Sequence, residues 1–308
     1  MYYPLFRGRQ FEMLALKSLL EKRLISSANI TPIIEPVKNT PSFNGTVQYF
    51  DDEDYPMHLV LNPENGIFDF QKFYQKVENA KKRHHSALLL NQEQVRNYYG
   101  AFQEDSFITI YKSNGFENGN TLYKDSLFPK MSFIKGDDKG RFLRTFNQDA
   151  TQGLGIIQDN FQKADRNIDY DEKVDDFFSD QHLVYKENGY DAFSDYSMIG
   201  EEFIDGGFAP RAVVIHVLYF NSKDELYVKH FKSESNEGIE DPAGKFSEAV
   251  EKLAMWYSSV EDKNKSEAME EFIKLYREKR YPGLGIPKKL SIMHHLEIMN
   301  RFLEKNNK

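Results

Sequence analysis

Apolar positions recur along this chain in two rhythms. Phe11, Leu14, Ala15 and Leu19 share one helical face, and the compact run Thr31 to Val37 then reads as a short buried strand. Met57 to Leu61 is a second strand ending at Asn62-Pro63, followed by Phe70, Phe73, Tyr74 and Val77 at helical spacing. Ser86 to Leu90 is a third strand ending at Asn91, with a short segment from Gln92 to Tyr99 after it. Phe107 to Tyr111 is a fourth, ending at Lys112. Runs such as LVL, ALLL and ITIY are apolar on both faces, as parallel strands covered by crossover helices must be. The alternation predicts an α/β fold.

Gly115, Gly119, Pro129 and Gly136 punctuate the stretch from Asn114 to Gly140, which is expected to be the least regular part of the domain, with one strand near Met131 to Ile134. Gly155 to Gln158 resumes the strand pattern and stops at Asp159. A charged segment then runs to about Lys186, and its acids from Asp169 to Asp180 read as a solvated helical face. Met198 to Ile204, Ala212 to Phe220 and Leu226 to Ser233 are strand-like, joined by hairpin-type turns at Asp205-Gly206-Gly207 and Asn221 to Asp224. Asp241-Pro242 supplies an N-cap and a first helical residue for the stripe Phe246, Ala249, Val250, Leu253 and Tyr257. Met269, Phe272, Ile273 and Tyr276 mark another helix, and a last one follows Gly285-Ile286-Pro287. The fold class is therefore α/β, TIM-barrel-like, with about eight main strands, mixed strands in the C-terminal half and added C-terminal helices. The expected organisation is a barrel-like domain over residues 1–260 and a helical extension over 261–308 packed on it.

Composition narrows the chemistry. The 308 residues are 40% hydrophobic, with 25 Phe and 18 Tyr, ample for a core, and contain no cysteine, which excludes disulfides, thiolate metal sites and a cysteine nucleophile. Met1-Tyr2-Tyr3-Pro4 lacks a basic, then apolar leader, and no run approaches the roughly 18 apolar residues of a span. A cytoplasmic protein without a membrane segment is expected. A net charge of −8 disfavours general nucleic-acid coating, and the basic run Lys81-Lys82-Arg83-His84-His85 reads as the cationic end of a helix. A basic groove for nucleic-acid processing is the weakest functional reading.

In parallel α/β proteins the productive site lies where the strands end. That rule selects Glu35, Asn62, Asn91, Lys112 and Asp159, a set able to bind a cation or phosphate or to move a proton. Glu35, within Ile33-Ile34-Glu35-Pro36-Val37, needs a cation or hydrogen-bond donors if buried. An ion pair with Lys112 would meet that need structurally; a role as acid, base or metal ligand is the functional alternative. Glu35, Lys112 and Asp159 are the candidate catalytic residues, with Lys112 as electrophile or phosphate contact. They are expected at one end of the barrel. Asn62, Asn91, His216 and His230 are candidate ligand-binding residues, and the two histidines on paired strands could share a metal with Glu201 or Glu202. Core histidines satisfied by hydrogen bonds are the competing reading. No P-loop, GxSxG elbow, HExxH helix or kinase set occurs, and Gly153 and Gly155 make only a GxG, so no cofactor is assigned.

The opening Tyr2-Tyr3-Pro4-Leu5-Phe6-Arg7-Gly8-Arg9-Gln10-Phe11-Glu12, with Leu14-Ala15-Leu16 and Pro32-Ile33-Ile34-Glu35-Pro36, resembles the bacterial and phage beta-protein family. Phe193-Ser194-Asp195-Tyr196-Ser197-Met198-Ile199-Gly200, Ala212-Val213-Val214-Ile215-His216 and His230-Phe231 carry the same resemblance, which runs to about Trp256. It implies a barrel-like fold and a place in phage-defence or mobile-element systems. These blocks are not catalytic motifs, so no residue role comes with them. Read from its own residues, Asp195-Tyr196 precedes a strand, with Asp195 bonding backbone amides in a turn and Tyr196 packing inward. Two functions follow as expectations: a component that works through a protein partner, or an enzyme with its site at the barrel mouth.

Overall fold

The computed structural model describes residues 1–76, 85–91, 95–101, 107–112, 115–146, 151–206 and 211–306. Its strands are β1 (Leu5–Phe6), β2 (Ile33–Ile34), β3 (His58–Val60), β4 (His85–Leu90), β5 (Ile108–Tyr111), β6 (Met131–Ile134), β7 (Leu154–Gln158), β8 (Asp176–Ser179), β9 (Ala192–Asp195), β10 (Val214–Phe220) and β11 (Leu226–Lys232). Its helices are α1 (Gln10–Glu21), α2 (Pro41–Asp52), α3 (Phe70–Lys76), α4 (Phe116–Lys124), α5 (Lys139–Thr145), α6 (Gln181–Val184), α7 (Pro242–Tyr257), α8 (Glu267–Arg277) and α9 (Gly285–Asn306). No helix among the described residues is long and apolar enough to cross a membrane. The chain forms two compact units. One comprises Met1–Gln10, Ser27–Asp159 and Gln181–Tyr196, the other Phe11–Ser26, Asn160–Asp180 and Ser197–Lys308.

In the first unit, eight parallel strands run in the order β1-β2-β3-β4-β5-β6-β7-β9. Tyr2 bridges in parallel to both Ile30 and Phe193, and Tyr3 N donates to Phe193 O at 2.9 Å, which brings the last strand round to the first. The result is a nearly closed α/β barrel. Tyr3, which leads into β1, meets both Phe133 on β6 (5.1 Å) and His58 on β3 (5.9 Å), although none of these strands are neighbours in the sheet. They can meet only across the interior, which defines the inward face. Gly155 stands opposite Phe133, and a Cβ there would approach the Phe133 ring to 2.5 Å. The missing side chain makes room for that ring in the barrel core.

Several elements of this unit escaped the sequence pattern, α2 and β9 among them, and one stretch is more regular than expected. Thr40 caps α2, accepting from Phe43 N at 3.1 Å, with Pro41 opening the helix and Phe43, Val47 and Phe50 buried. Asp195 does not sit in a turn before a strand. It ends β9, and Tyr2 Oη donates to it at 2.7 Å, with burial and that carboxylate holding the Tyr2 phenol well above its ordinary pKa. Within 115–140 the structure has α4 and β6, the latter at the expected Met131–Ile134. The glycines there serve close packing: Gly119 lies inside α4, where a Cβ would meet Tyr111 and Phe146. Residues 81–84 of the basic run lie outside the described residues, as do Val77, Gln92 and Asn114.

In the second unit a three-stranded antiparallel sheet has the order β10-β11-β8. The Asn221 to Asp224 hairpin is present, setting His216 opposite His230. One face carries α7, whose Trp256 packs on Tyr219 (5.6 Å) and Phe231 (5.5 Å). The other carries α9, whose Phe302 stacks on Phe220 at 5.1 Å. Asp241 and Pro242 start α7 as the sequence indicates, and Asp241 accepts from Gly244 N at 2.8 Å. Ion pairs of Glu12 with Lys288 (2.7 Å) and of Lys22 with Glu267 (2.6 Å) tie α1 to α9 and α8.

Two expectations fail here. The acidic segment before Lys186 is not a solvated helix. Asp176-Phe177-Phe178-Ser179 is β8, paired with β11, and the acids are specific acceptors: Asp175 takes Lys229 and Tyr219, and Glu172 takes Lys252. Met198 to Ile204 is not a strand. Ser197 and Gly200 adopt left-handed backbone, φ +49° and +73°, which breaks an extended run, and a 3₁₀ turn spans Ser197–Ile199. The third strand of this sheet is β8, which pairs with β11 at the edge away from β10, the strand beside which this run was expected.

Candidate functional site

Side chains of a strand alternate between faces, so the inward series can be followed from Tyr3, His58 and Phe133 to the carboxyl ends of all eight barrel strands. Register carries it across the sheet through Leu5↔Ile33, Ile33↔His58, Ala87↔Ile108, Ile110↔Phe133, Phe133↔Gly155 and Gly155↔Ala192. The last inward positions are Arg7, Glu35, Asn62, Asn91, Lys112, Lys135, Asp159 and Tyr196, and every one is polar. The layer beneath them is Leu5, Ile33, Val60, Leu89, Ile110, Phe133, Ile157 and Ser194, buried and apolar but for the last. A polar ring thus stands on a hydrocarbon floor at the end of the barrel where such folds place their chemistry.

Five of these eight were expected from strand ends. Arg7, Lys135 and Tyr196 were not, because their strands or the stretch around them left no clear apolar signal. Glu35, Lys112 and Asp159 do share one end of the barrel, since β2, β5 and β7 are parallel members of the sheet. The cation that answers Glu35 is Arg7, not Lys112. Arg7 and Glu35 are 4% and 0% exposed, and the remaining carboxylate oxygen accepts from Glu64 N (2.9 Å) and Asn65 Nδ2 (3.0 Å). Glu35 therefore anchors the loop after β3 over the mouth. Gly66 completes that loop with φ +78°, a position where a Cβ would lie 2.2 Å from Val37 O.

Asn62 is a structural residue. Its amide donates to Leu89 O (2.7 Å) and accepts from Leu89 N (2.9 Å), replacing the β3–β4 ladder where β3 ends. Asn91 Nδ2 donates to Glu64 Oε1 at 2.9 Å and so orients that carboxylate. On the other side of Glu64, Lys112 Nζ lies 3.9 Å from Oε2. The same ammonium is 3.5 Å from Tyr196 Oη and 5.8 Å from the centre of its ring, within cation–π range. Arg7 approaches that ring as well, at 5.3 Å. The geometry joins Arg7, Glu35, Glu64, Asn91, Lys112 and Tyr196 into one network, with Lys112 and Glu64 its partly accessible charges, 17% and 34% exposed. Asp159 is exposed at the same rim. Glu64 was missed because it follows the strand end by two residues, on a loop that no period reveals.

The expected histidine pair exists in the second unit, with different chemistry. His216 Nδ1 and His230 Nδ1 are 2.7 Å apart, and His230 Nε2 is 2.9 Å from Asp176 Oδ2. Tyr170 packs on both rings, at 4.6 Å and 4.7 Å. Two ring nitrogens this close share a proton and leave no room for an ion between them. Among the described residues no group of three or more His, Asp or Glu could hold a metal, and Glu202 lies 3.6 Å from Lys163. Of the two readings open from the sequence, a shared metal or histidines satisfied by hydrogen bonds, the described geometry is a hydrogen-bonded chain. Burial, with His230 alongside, lowers the His216 pKa to about 3. No protein-family model, curated protein or solved structure matches this chain.

Proposed function

We propose that the barrel is an enzyme acting on a small anionic molecule at its polar mouth. Lys112 would be the charged contact, Tyr196 a hydrogen-bonding phenol beside it, and Glu64 the proton acceptor. The observation behind this reading is the ring itself: eight polar residues, one per strand, directly above an almost wholly apolar layer. Packing alone would favour continuing the hydrocarbon upward. Glu35 and Arg7 are the fixed base of the site, since their charges are spent on each other and on the loop that carries Glu64. Hydrolytic or phosphate-handling chemistry fits an ammonium beside an oriented carboxylate.

Calorimetric titration with orthophosphate, simple phosphate monoesters and small mono- and dicarboxylates tests this reading. At least one class should bind, with affinity falling as salt is added. Lys112→Met should weaken binding by roughly tenfold or more while leaving the melting temperature near that of the parent, because a charge-assisted hydrogen bond contributes about 1.5–3 kcal/mol. Binding that ignores Lys112→Met, or no binding by any of these compounds at millimolar concentration, would reject it.

A second reading is a partner-dependent component of a phage-defence or mobile-element system. It rests on the resemblance of the two sequence blocks and on Ile67, an isoleucine 89% exposed on the loop beside the mouth. A partner recovered with the parent chain and lost with Ile67→Asp would support it.

A further inference from the structure

We propose that Asp176, His230 and His216 form a proton relay in the second unit that fixes both imidazole tautomers. Its outer end, Nε2 of His216, is then a proton-accepting atom for a ligand that presents an N–H or O–H group. The argument starts at Asp176, on β8. An ionised carboxylate only accepts, so His230 must donate from Nε2 across the 2.9 Å contact. A neutral His230 then has a lone pair at Nδ1, and the 2.7 Å contact requires His216 to donate from its own Nδ1. His216 is left with its lone pair on Nε2. That atom makes no hydrogen bond to a described residue, and His216 is only partly buried whereas His230 is 2% exposed.

The surroundings hold this chain in place. Phe161 meets the His216 ring edge-on at 5.2 Å, and Tyr170 covers both imidazoles. The loop bearing Tyr170 is itself fastened: Lys232 Nζ donates to Ile168 O at 2.9 Å, and Asn167 Nδ2 donates to Ala212 O at 3.0 Å. Aromatic neighbours against the His216 ring favour its neutral form. A proton taken at Nε2 can pass along the chain. His216 releases its Nδ1 proton to His230 Nδ1, and the positive charge then rests beside Asp176. Each hydrogen bond survives with its direction kept or reversed, and no atom has to move far. The relay belongs to the second unit and does not depend on the function proposed for the barrel mouth.

Ring nitrogen NMR of the full chain, labelled at histidine, reads the tautomers directly. At neutral pH His216 should be protonated at Nδ1 alone and His230 at Nε2 alone. Asp176→Ala removes the acceptor that sets the order, and His216 should then become a mixture of both tautomers. If Asp176→Ala does not fold, the parent spectrum still decides: a proton on His216 Nε2 would overturn the relay. So would a folded Asp176→Ala in which His216 remains solely Nδ1-protonated. Diethylpyrocarbonate supplies the test of the open end. Attack of an imidazole lone pair on a carbonyl carbon of the reagent forms a ring N–ethoxycarbonyl bond and breaks the anhydride C–O bond; the monoethyl carbonate that leaves takes up the displaced ring proton and decomposes to ethanol and carbon dioxide. Peptide mapping should find His216 modified well ahead of the fully buried His294. Equal or lower modification of His216 would show that Nε2 is not an available base.

Discussion

Glu35→Gln should lower the unfolding free energy by about 3–5 kcal/mol, among the largest effects of any near-isosteric change in this chain. The substitution keeps the shape of the side chain but removes the Glu35 charge that faces the Arg7 guanidinium, which is 4% exposed. The amide also offers a weaker acceptor to Glu64 N and Asn65 Nδ2, so the loop over the mouth loosens with it. Replacing the ion pair as a whole costs less, because desolvating two charges offsets much of their attraction. The double change Arg7→Met with Glu35→Leu should therefore fall closer to the parent than Glu35→Gln alone. Denaturant titration followed by circular dichroism checks both. A Glu35→Gln loss below about 1 kcal/mol would contradict the structural role assigned to this pair.

Acid should destabilise the second unit through its buried neutral histidines. His294 is fully buried on α9. Its Nε2 donates to Leu218 O at 2.7 Å, and its Nδ1 accepts from Ser266 Oγ at 2.7 Å. That serine also accepts from Met269 N at 3.1 Å and caps α8, so both ring nitrogens are committed in the neutral form. Burial lowers the His294 pKa to about 4, and His216 shifts in the same direction. A folded pKa below the unfolded value of about 6.5 means the unfolded chain binds the extra proton first. Stability is complete above that value and is lost as pH falls toward the folded pKa. Each histidine contributes a slope of about 1.4 kcal/mol per pH unit in this window, or about 3 kcal/mol for His294 between pH 6.5 and 4. The raised pKa of Glu297, caused mainly by burial, works in the opposite sense and offsets part of the loss. Trp256, the only tryptophan, lies in this unit and reports its unfolding by fluorescence. His294→Gln should be less stable at pH 7 and show a flatter pH slope, by about one proton. An unchanged slope would contradict the assignment.

The sequence showed the barrel where strands were long and apolar enough to stand out. β4 carries four consecutive buried aliphatic residues, Ala87, Leu88, Leu89 and Leu90, and β5 is buried throughout as Ile108-Thr109-Ile110-Tyr111; the residues following them, Asn91 and Lys112, were accordingly found. β1 and β2 have two residues each. Glu35 was visible because an acid interrupts five apolar neighbours, but nothing marked Leu5–Phe6 as a strand, so its partner Arg7 was missed. β9 reads Ala-Phe-Ser-Asp, a sequence with the polar residues of a turn. Its extended form depends on pairing with β7, a contact 37 residues distant that no local pattern contains. Tyr196 was lost with it as a member of the mouth. The histidines on β10 and β11 were found by periodicity. Their partner Asp176 was hidden within an acidic stretch whose composition resembles a solvated helix, although its Phe177-Phe178 pair suits a strand better.

A chemical-shift map tests the central claim most directly. The chain, labelled for amide and lysine side-chain NMR, would be titrated with the tightest-binding phosphate or carboxylate ligand. The mouth site predicts that the largest shifts cluster at Glu64, Asn65, Asn91, Lys112 and Tyr196, with smaller ones at Lys135 and Asp159 and almost none at the opposite ends of the strands. Shifts concentrated elsewhere, with Lys112 and Tyr196 unmoved at saturation, would show that the polar ring is structure alone.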